Sequence, residues 1–214
     1  MPVAGAQYPV NLILAGKRCL VVGGGPVAAR KVAGLLACDA DVHVIAAHLS
    51  PELDAELAGR KASVDQRSYQ SGDLAGYHLV IAATDDHALN RSIFAEAEAA
   101  GTWVNSADDP ASCTFTLPSI VRRGSIMVTV STGGRSPALA AWLKHRIEAD
   151  LGPEFEVLVE MLSAAREDMR ASGRSTEEAD WQSVLDSDML ELIKTGRVSV
   201  AREHLESWLL SLSD

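Results

Sequence analysis

The chain has 214 residues, 47% hydrophobic and 22% charged, enough apolar material for a packed core and too little charge for disorder. Its formal net charge of -10 argues against general nucleic-acid binding, and it requires any anionic substrate to be met by a local cluster of cations. Three cysteines, Cys19, Cys38 and Cys113, form no C-x-x-C pair and have no histidine at a zinc-like spacing. They read as reduced thiols rather than a disulfide scaffold, and no metal-ligand set is expected.

The N-terminus, MPVAGAQYPVNLILAGKR, carries its early charges after the apolar stretch, which is not the order of a signal peptide. No run approaches the roughly 18 apolar residues of a membrane span. A cytoplasmic location with no membrane partner is the expectation.

Residues 18–22 are a short apolar run ending at Gly23, the pattern of a buried parallel strand. Residues 26–37 follow with helical spacing, and Val27, Val32, Leu35 and Leu36 are its predicted core face. Asp39 stands where the helix ends, suited to the left-handed conformation. Residues 41–46 are a second strand. Ser50-Pro51-Glu52 then starts a helix with a cap, a proline in the first position and an acid in the first turn. Residues 63–67 are a weak third strand and 78–83 a strong fourth. Asp85 is placed to cap a helix over about 87–100, and 102–105 is a fifth strand. Strands alternating with helices at this pitch predict an α/β fold, a Rossmann-type doubly wound parallel sheet.

The pattern changes after residue 112. Two β-rich runs, 113–121 and 125–131, flank Arg122-Arg123-Gly124 as an antiparallel pair. Ser136-Pro137 starts a helix to about 150. From 153 the chain is helical, broken at Ser172-Gly173, near Asp186-Ser187 and at Thr195-Gly196. Phe155, Leu158, Leu162 and Met169 form one apolar stripe on the first tail helix. The division is therefore a Rossmann domain over 1–112, a small α/β middle segment over 113–150 and a helical C-terminal domain over 151–214.

Gly23-x-Gly25-x-x-Ala28 fits G-x-G-x-x-G/A between a strand and a helix. The first glycine permits the turn, the second lets the backbone approach a pyrophosphate, and the small third residue packs helix on strand. The free N–H groups of the helix start, with Pro26 and Val27 in its first turn, complete an anion site. The cofactor expected is NAD. The fingerprint's acid after the second strand is missing: the strand runs into Ala46-Ala47-His48. The ribose is then held by backbone groups near Ala47 or by His48. No arginine stands there to favour NADP. Thr84 and Asp85 end the fourth strand, where parallel strands open onto a ligand crevice, although Asp85 reads equally well as a plain helix cap.

Asn105-Ser106-Ala107-Asp108-Asp109-Pro110 follows the fifth strand at the same end. Ser131-Thr132-Gly133-Gly134-Arg135-Ser136-Pro137 joins a strand to a helix and can present backbone donors to an anion. With Leu20-Val-Val-Gly-Gly-Gly25, Ala82-Ala-Thr-Asp85 and Phe115 with Pro118-Ser119, these segments resemble, in order, the precorrin-2 dehydrogenase family, the N-terminal module of siroheme synthase. The resemblance covers about residues 8–150. The methyltransferase half of full siroheme synthase is not expected within these 214 residues.

The resemblance implies NAD-dependent oxidation of precorrin-2 to sirohydrochlorin, and in some members ferrous-ion insertion at the same site. It puts the catalytic aspartate on Asp108, a carboxylate able to act as general base. Asp109 beside it would repel it and raise its pKa if both faced the cleft. Asn105 and the 131–136 segment (Ser131, Thr132, Gly133, Gly134, Arg135 and Ser136) are the substrate-binding candidates. The substrate carries eight carboxylates, so two or three of Arg122, Arg123, Arg135, Lys144 and Arg146 are expected around it. The family also implies a homodimer through the middle segment. A rival reading from another class is a non-enzymatic NAD-sensing Rossmann module, which would bind NAD without turnover.

Overall fold

A computed structural model describes residues 6–177 and 179–211. The first five residues of the predicted N-terminal segment and the last three of the helical tail lie outside the described residues. The chain divides into two compact units. One runs to Leu117 and includes Gly133–Arg135; the other holds Pro118–Thr132 and Ser136 onward.

In the first unit five parallel strands, β1 (Arg18–Val22), β2 (Asp41–Ile45), β3 (Ala62–Asp65), β4 (Leu79–Ala82) and β5 (Trp103–Ser106), lie in the order β3-β2-β1-β4-β5. Helices α1 (Pro26–Leu36), α2 (Pro51–Leu57) and α3 (His87–Ala99) make three of the four crossovers, and β3 joins β4 without a helix. The alternation of side chains along β1 explains the two covered faces. Cys19 and Val21 pack with Ala28, Ala29, Val32 and Leu35 of α1. Leu20 and Val22 pack on the opposite face with Ile93 and Ala97 of α3. After the exposed Arg18, the four residues Cys19–Val22 are 0–2% exposed, and the strand is apolar there because both its faces are covered. The order reverses between β1 and β4, the switch point at which such sheets bind ligands.

Local signals hold closely. Asp39 adopts φ 55°, the non-glycine residue in the left-handed region among those described. The Ser50 hydroxyl accepts from the Leu53 N–H at 3.3 Å. The buried face of α1 differs from expectation. Ala28, Ala29, Val32 and Leu35 are buried, while Val27 is 37% exposed. Starting straight from the glycine turn, α1 puts its small residues toward the sheet, and close approach matters more there than apolar bulk.

The second unit contains the antiparallel pair β6 (Ser119–Arg123) and β7 (Ile126–Val130), then α4 (Pro137–Asp150), α5 (Glu154–Ala171), α6 (Trp181–Leu185), α7 (Met189–Lys194) and α8 (Val198–Ser211). The expected strand from 113 is split. Cys113 bridges to Asn105 and Thr114 donates its N–H to Val104 at 2.8 Å, so 113–115 follows β5, and only from Ser119 does the chain pair with β7. The β-pair and the tail share a unit, where the sequence reading divides at 150. The Arg123 guanidinium donates to the Leu151 carbonyl at 2.8 Å, and Gly124 lies against the Glu156 side chain. Leu158, Met161, Ala165 and Met169 are the buried stripe of α5, with Phe155 and Leu162 only half-buried. They meet Val184, Met189, Leu192, Ala201 and Leu205, and Trp181 stacks tilted on Trp208 at 5.0 Å. No helix among the described residues is long and apolar enough to cross a membrane.

Candidate active site

The carboxyl ends of β1, β4 and β5 are laced together by backbone. Ala83 donates to Val22 at 2.8 Å and Ala107 donates to Ala82 at 2.9 Å. The glycine turn, the Thr84 loop and the Asp108 loop therefore leave the sheet side by side.

Each glycine of the turn does a different job. Gly23 has φ +127°, and a Cβ there would lie 2.2 Å from the Ala83 carbonyl oxygen. Gly24, a free position in the fingerprint, is tighter: its Cβ would lie 1.8 Å from the carbonyl oxygen of His48. Gly24 in turn accepts from the Ser50 N–H at 2.8 Å, which ties the turn to the loop after β2. Around Gly25 a Cβ would meet nothing within 4 Å. Gly25 is also the N-cap of α1 and offers no side chain to the first-turn N–H groups, with Pro26 next. An open glycine under uncapped helical donors fits a dinucleotide pyrophosphate. Ala28 is fully buried against the strand, as the small third position requires. Val27 is exposed beside it, and Ala47 and His48 are exposed at the end of β2. The His48 carbonyl, rather than its imidazole, is what the turn packs against.

Thr84 is locked by a residue the sequence reading did not single out. Asn90 is 1% exposed, and its side-chain oxygen accepts from the Thr84 hydroxyl at 2.7 Å while its amide donates to the Thr84 carbonyl at 2.9 Å. Asp85 does not cap the helix. The Asp86 carboxylate accepts from the Ala88 and Leu89 N–H groups at 2.8 and 3.0 Å. The Thr84 hydroxyl accepts from the Asp86 N–H at 3.2 Å, and this extra turn moves the cap on by one residue and leaves Asp85 exposed.

Asp108 lies at the centre of a small polar cluster. One carboxylate oxygen accepts from the Ser106 hydroxyl at 2.5 Å, and the other is hydrogen-bonded to Nδ1 of His87. The Asp108 side chain is 20% exposed and that of His87 71%. Burial works to raise the Asp108 carboxyl, but hydrogen bonds from Ser106, His87 and Asn90 outweigh it and hold the group down at about 2. The repulsion expected from Asp109 does not raise it. The Asp109 carboxylate turns away to accept from the Ala111 N–H at 3.0 Å and the Ser112 hydroxyl at 2.9 Å, starting the short turn Pro110–Ser112. His87 was missed because it is the first residue of a helix and 21 positions from Asp108. Its position just past an acidic cap at the crevice end of a strand was the available signal.

The other substrate candidates are more structural than expected. Asn105 is buried and donates to the Phe115 carbonyl at 3.0 Å, holding down segment 113–115. The Thr132 hydroxyl donates to the Ser136 carbonyl and accepts from the Ser136 N–H, both at 3.1 Å, and Ser136 caps α4 by accepting from Leu139 at 3.2 Å. Between them Gly133 and Gly134 have φ +61° and +75°. Ser131 and Arg135 are exposed. Among the predicted cations, Arg123 is committed to Leu151, Lys144 pairs with Glu148 at 3.5 Å, and Arg146 lies over the Trp142 ring at 5.1 Å.

Two family models match. One, described as "Putative NAD(P)-binding", covers residues 10–119, just over half the chain, and the other, "Sirohaem biosynthesis protein central", covers 123–150. Similar relatives include siroheme synthase of Nitrosococcus oceani, 39% identical over 95% of this chain and 44% of its own length. Siroheme synthase of Thioalkalivibrio sulfidiphilus is 39% identical over 94% of this chain and 42% of its own. The chain thus spans under half the length of the curated relatives it matches. A solved precorrin-2 dehydrogenase, SirC, shares the fold with a TM-score of 0.74 at 23% identity, covering 96% of this chain and all of that one. The chain belongs to the NAD(P)-binding family matched over residues 10–119, in company with siroheme synthases.

Proposed function

We propose that this chain oxidises precorrin-2 to sirohydrochlorin with NAD in siroheme biosynthesis. The observation that carries the reading is the juxtaposition, at the carboxyl ends of β1, β4 and β5, of an open Gly25 turn and a fixed anionic Asp108 cluster. Gly25 and the first-turn N–H groups of α1 would hold the pyrophosphate, and the backbone near Ala47 and His48 the ribose. Bound NAD supplies a hydride acceptor. The protein's own task is to hold the substrate's reacting carbon at the crevice and to take the proton that leaves with oxidation; the His87–Asp108 pair is where that proton goes. Relatives bearing the name siroheme synthase favour catalysis over a sensing role. The test is purified chain with precorrin-2 and NAD, followed by sirohydrochlorin absorbance. Absence of any NAD-dependent product, with NAD binding retained, would support the sensor instead.

The substrate is a polycarboxylate, and the exposed Arg135, in the glycine segment after β7, is the cation proposed to meet it. Asn105 acts beneath the site rather than on the substrate. A cytoplasmic homodimer is also proposed. Leu139 and Trp142 of α4 are 47% and 52% exposed, and this apolar surface supports self-association of the second unit. Sedimentation at micromolar concentration checks it. Ferrous-ion insertion, with iron as substrate, is checked by giving the chain sirohydrochlorin and ferrous ion against a no-enzyme control.

A further inference from the structure

Both oxygens of Asp108 are already engaged, one by the Ser106 hydroxyl and one by Nδ1 of His87. A carboxylate so held is a poor place for a new proton. His87, by contrast, opens α3 with its side chain 71% exposed, at the crevice end of β4 beside the end of β5. An imidazole that donates Nδ1–H to a carboxylate carries its free lone pair on Nε2. We propose that Nε2 of His87 is the catalytic proton acceptor and that Asp108 is a positioning residue, which fixes the Nδ1–H tautomer and stabilises the imidazolium that forms.

This rests on the oxidation proposed above. The substrate loses a hydride, two electrons with one proton, to NAD, which is reduced. A second substrate–hydrogen bond breaks, its electrons stay in the oxidised macrocycle, and its proton forms the Nε2–H bond of His87. The exposed imidazolium then returns that proton to water. Ser106 serves as a second strut, holding the Asp108 oxygen that His87 does not use. The same arrangement of base and orienting carboxylate recurs in enzymes of unrelated fold because it solves one problem: a histidine in the wrong tautomer presents a hydrogen where a lone pair is needed.

Two experiments test it. His87→Ala should lower kcat by about 100-fold, leave KM and NAD affinity within about threefold, and regain activity when imidazole is added. Because His87 is exposed, the variant should melt with the wild type. In the unliganded protein, nitrogen NMR should find the His87 proton on Nδ1, and Asp108→Asn should shift it to Nε2. The proposal is overturned if His87→Ala keeps a third or more of wild-type kcat, if imidazole rescues nothing, or if wild-type His87 carries its proton on Nε2. A wild-type chain inert toward precorrin-2 would instead overturn the reaction itself, so the two failures are distinguishable.

Discussion

A Cβ built on Gly24 would lie 1.8 Å from the carbonyl oxygen of His48, so the glycine turn and the loop after β2 interlock backbone to backbone. Gly25, one residue on, has open space around it. Neighbouring glycines thus have opposite reasons to be glycine: one is required by the protein, the other by its ligand. Gly24→Ala should cost about 3 kcal/mol through overpacking against backbone that has no side chain to swing away. Gly25→Ala, at φ -83°, should leave the melting temperature within about 2 °C, while weakening NAD at least tenfold by filling the approach to the pyrophosphate. Thermal melts beside NAD titrations separate the two effects.

Asn90 should behave as a structural post with a functional consequence. Asn90→Ala removes the three hydrogen bonds between Asn90 and Thr84 and a donor to Asp108. The unsatisfied groups left behind should cost about 2–3 kcal/mol, measured by denaturant unfolding. The Thr84 loop should also lose order, read as faster amide exchange at residues 84–86.

The Asp108 carboxyl is held at about 2 in the folded chain, against an ordinary value of 3.8. A depressed native pKa contributes stability that is complete above the unfolded value and is lost as pH falls through the folded one. Wild type should therefore exceed Asp108→Asn in stability at neutral pH, and the gap should close as pH falls from about 4 toward about 2. Paired urea titrations across that range check it; a gap that widens toward acid would contradict the assignment.

Cys19 is fully buried in β1, and burial, with help from Asp41, pushes its thiol up to about 11. It should resist alkylation at pH 8 in the native state and react only on unfolding. Mass spectrometry after brief iodoacetamide treatment, with and without denaturant, measures this.

Much of the first unit was legible because its signals are local. The apolar run of β1, the left-handed Asp39, the Ser50 cap and the small Ala28 each follow from the conformational needs of a few consecutive residues. The glycine turn was legible as a nucleotide site for the same reason. Errors arose where apolar bulk stood in for geometry, as at Val27, or where a cap could slide by one residue, as from Asp85 to Asp86. Family motifs point to Asp108, and adjacency in the chain alone suggests repulsion from Asp109 if both face the cleft. Only the tertiary structure turned Asp109 away and brought in His87, Ser106 and Asn90. Ser106 is two residues from Asp108, but the meetings with His87 and Asn90 depend on the register of β4 against β5 and on the rotation of α3, and both are decided by burial on the two faces of the sheet.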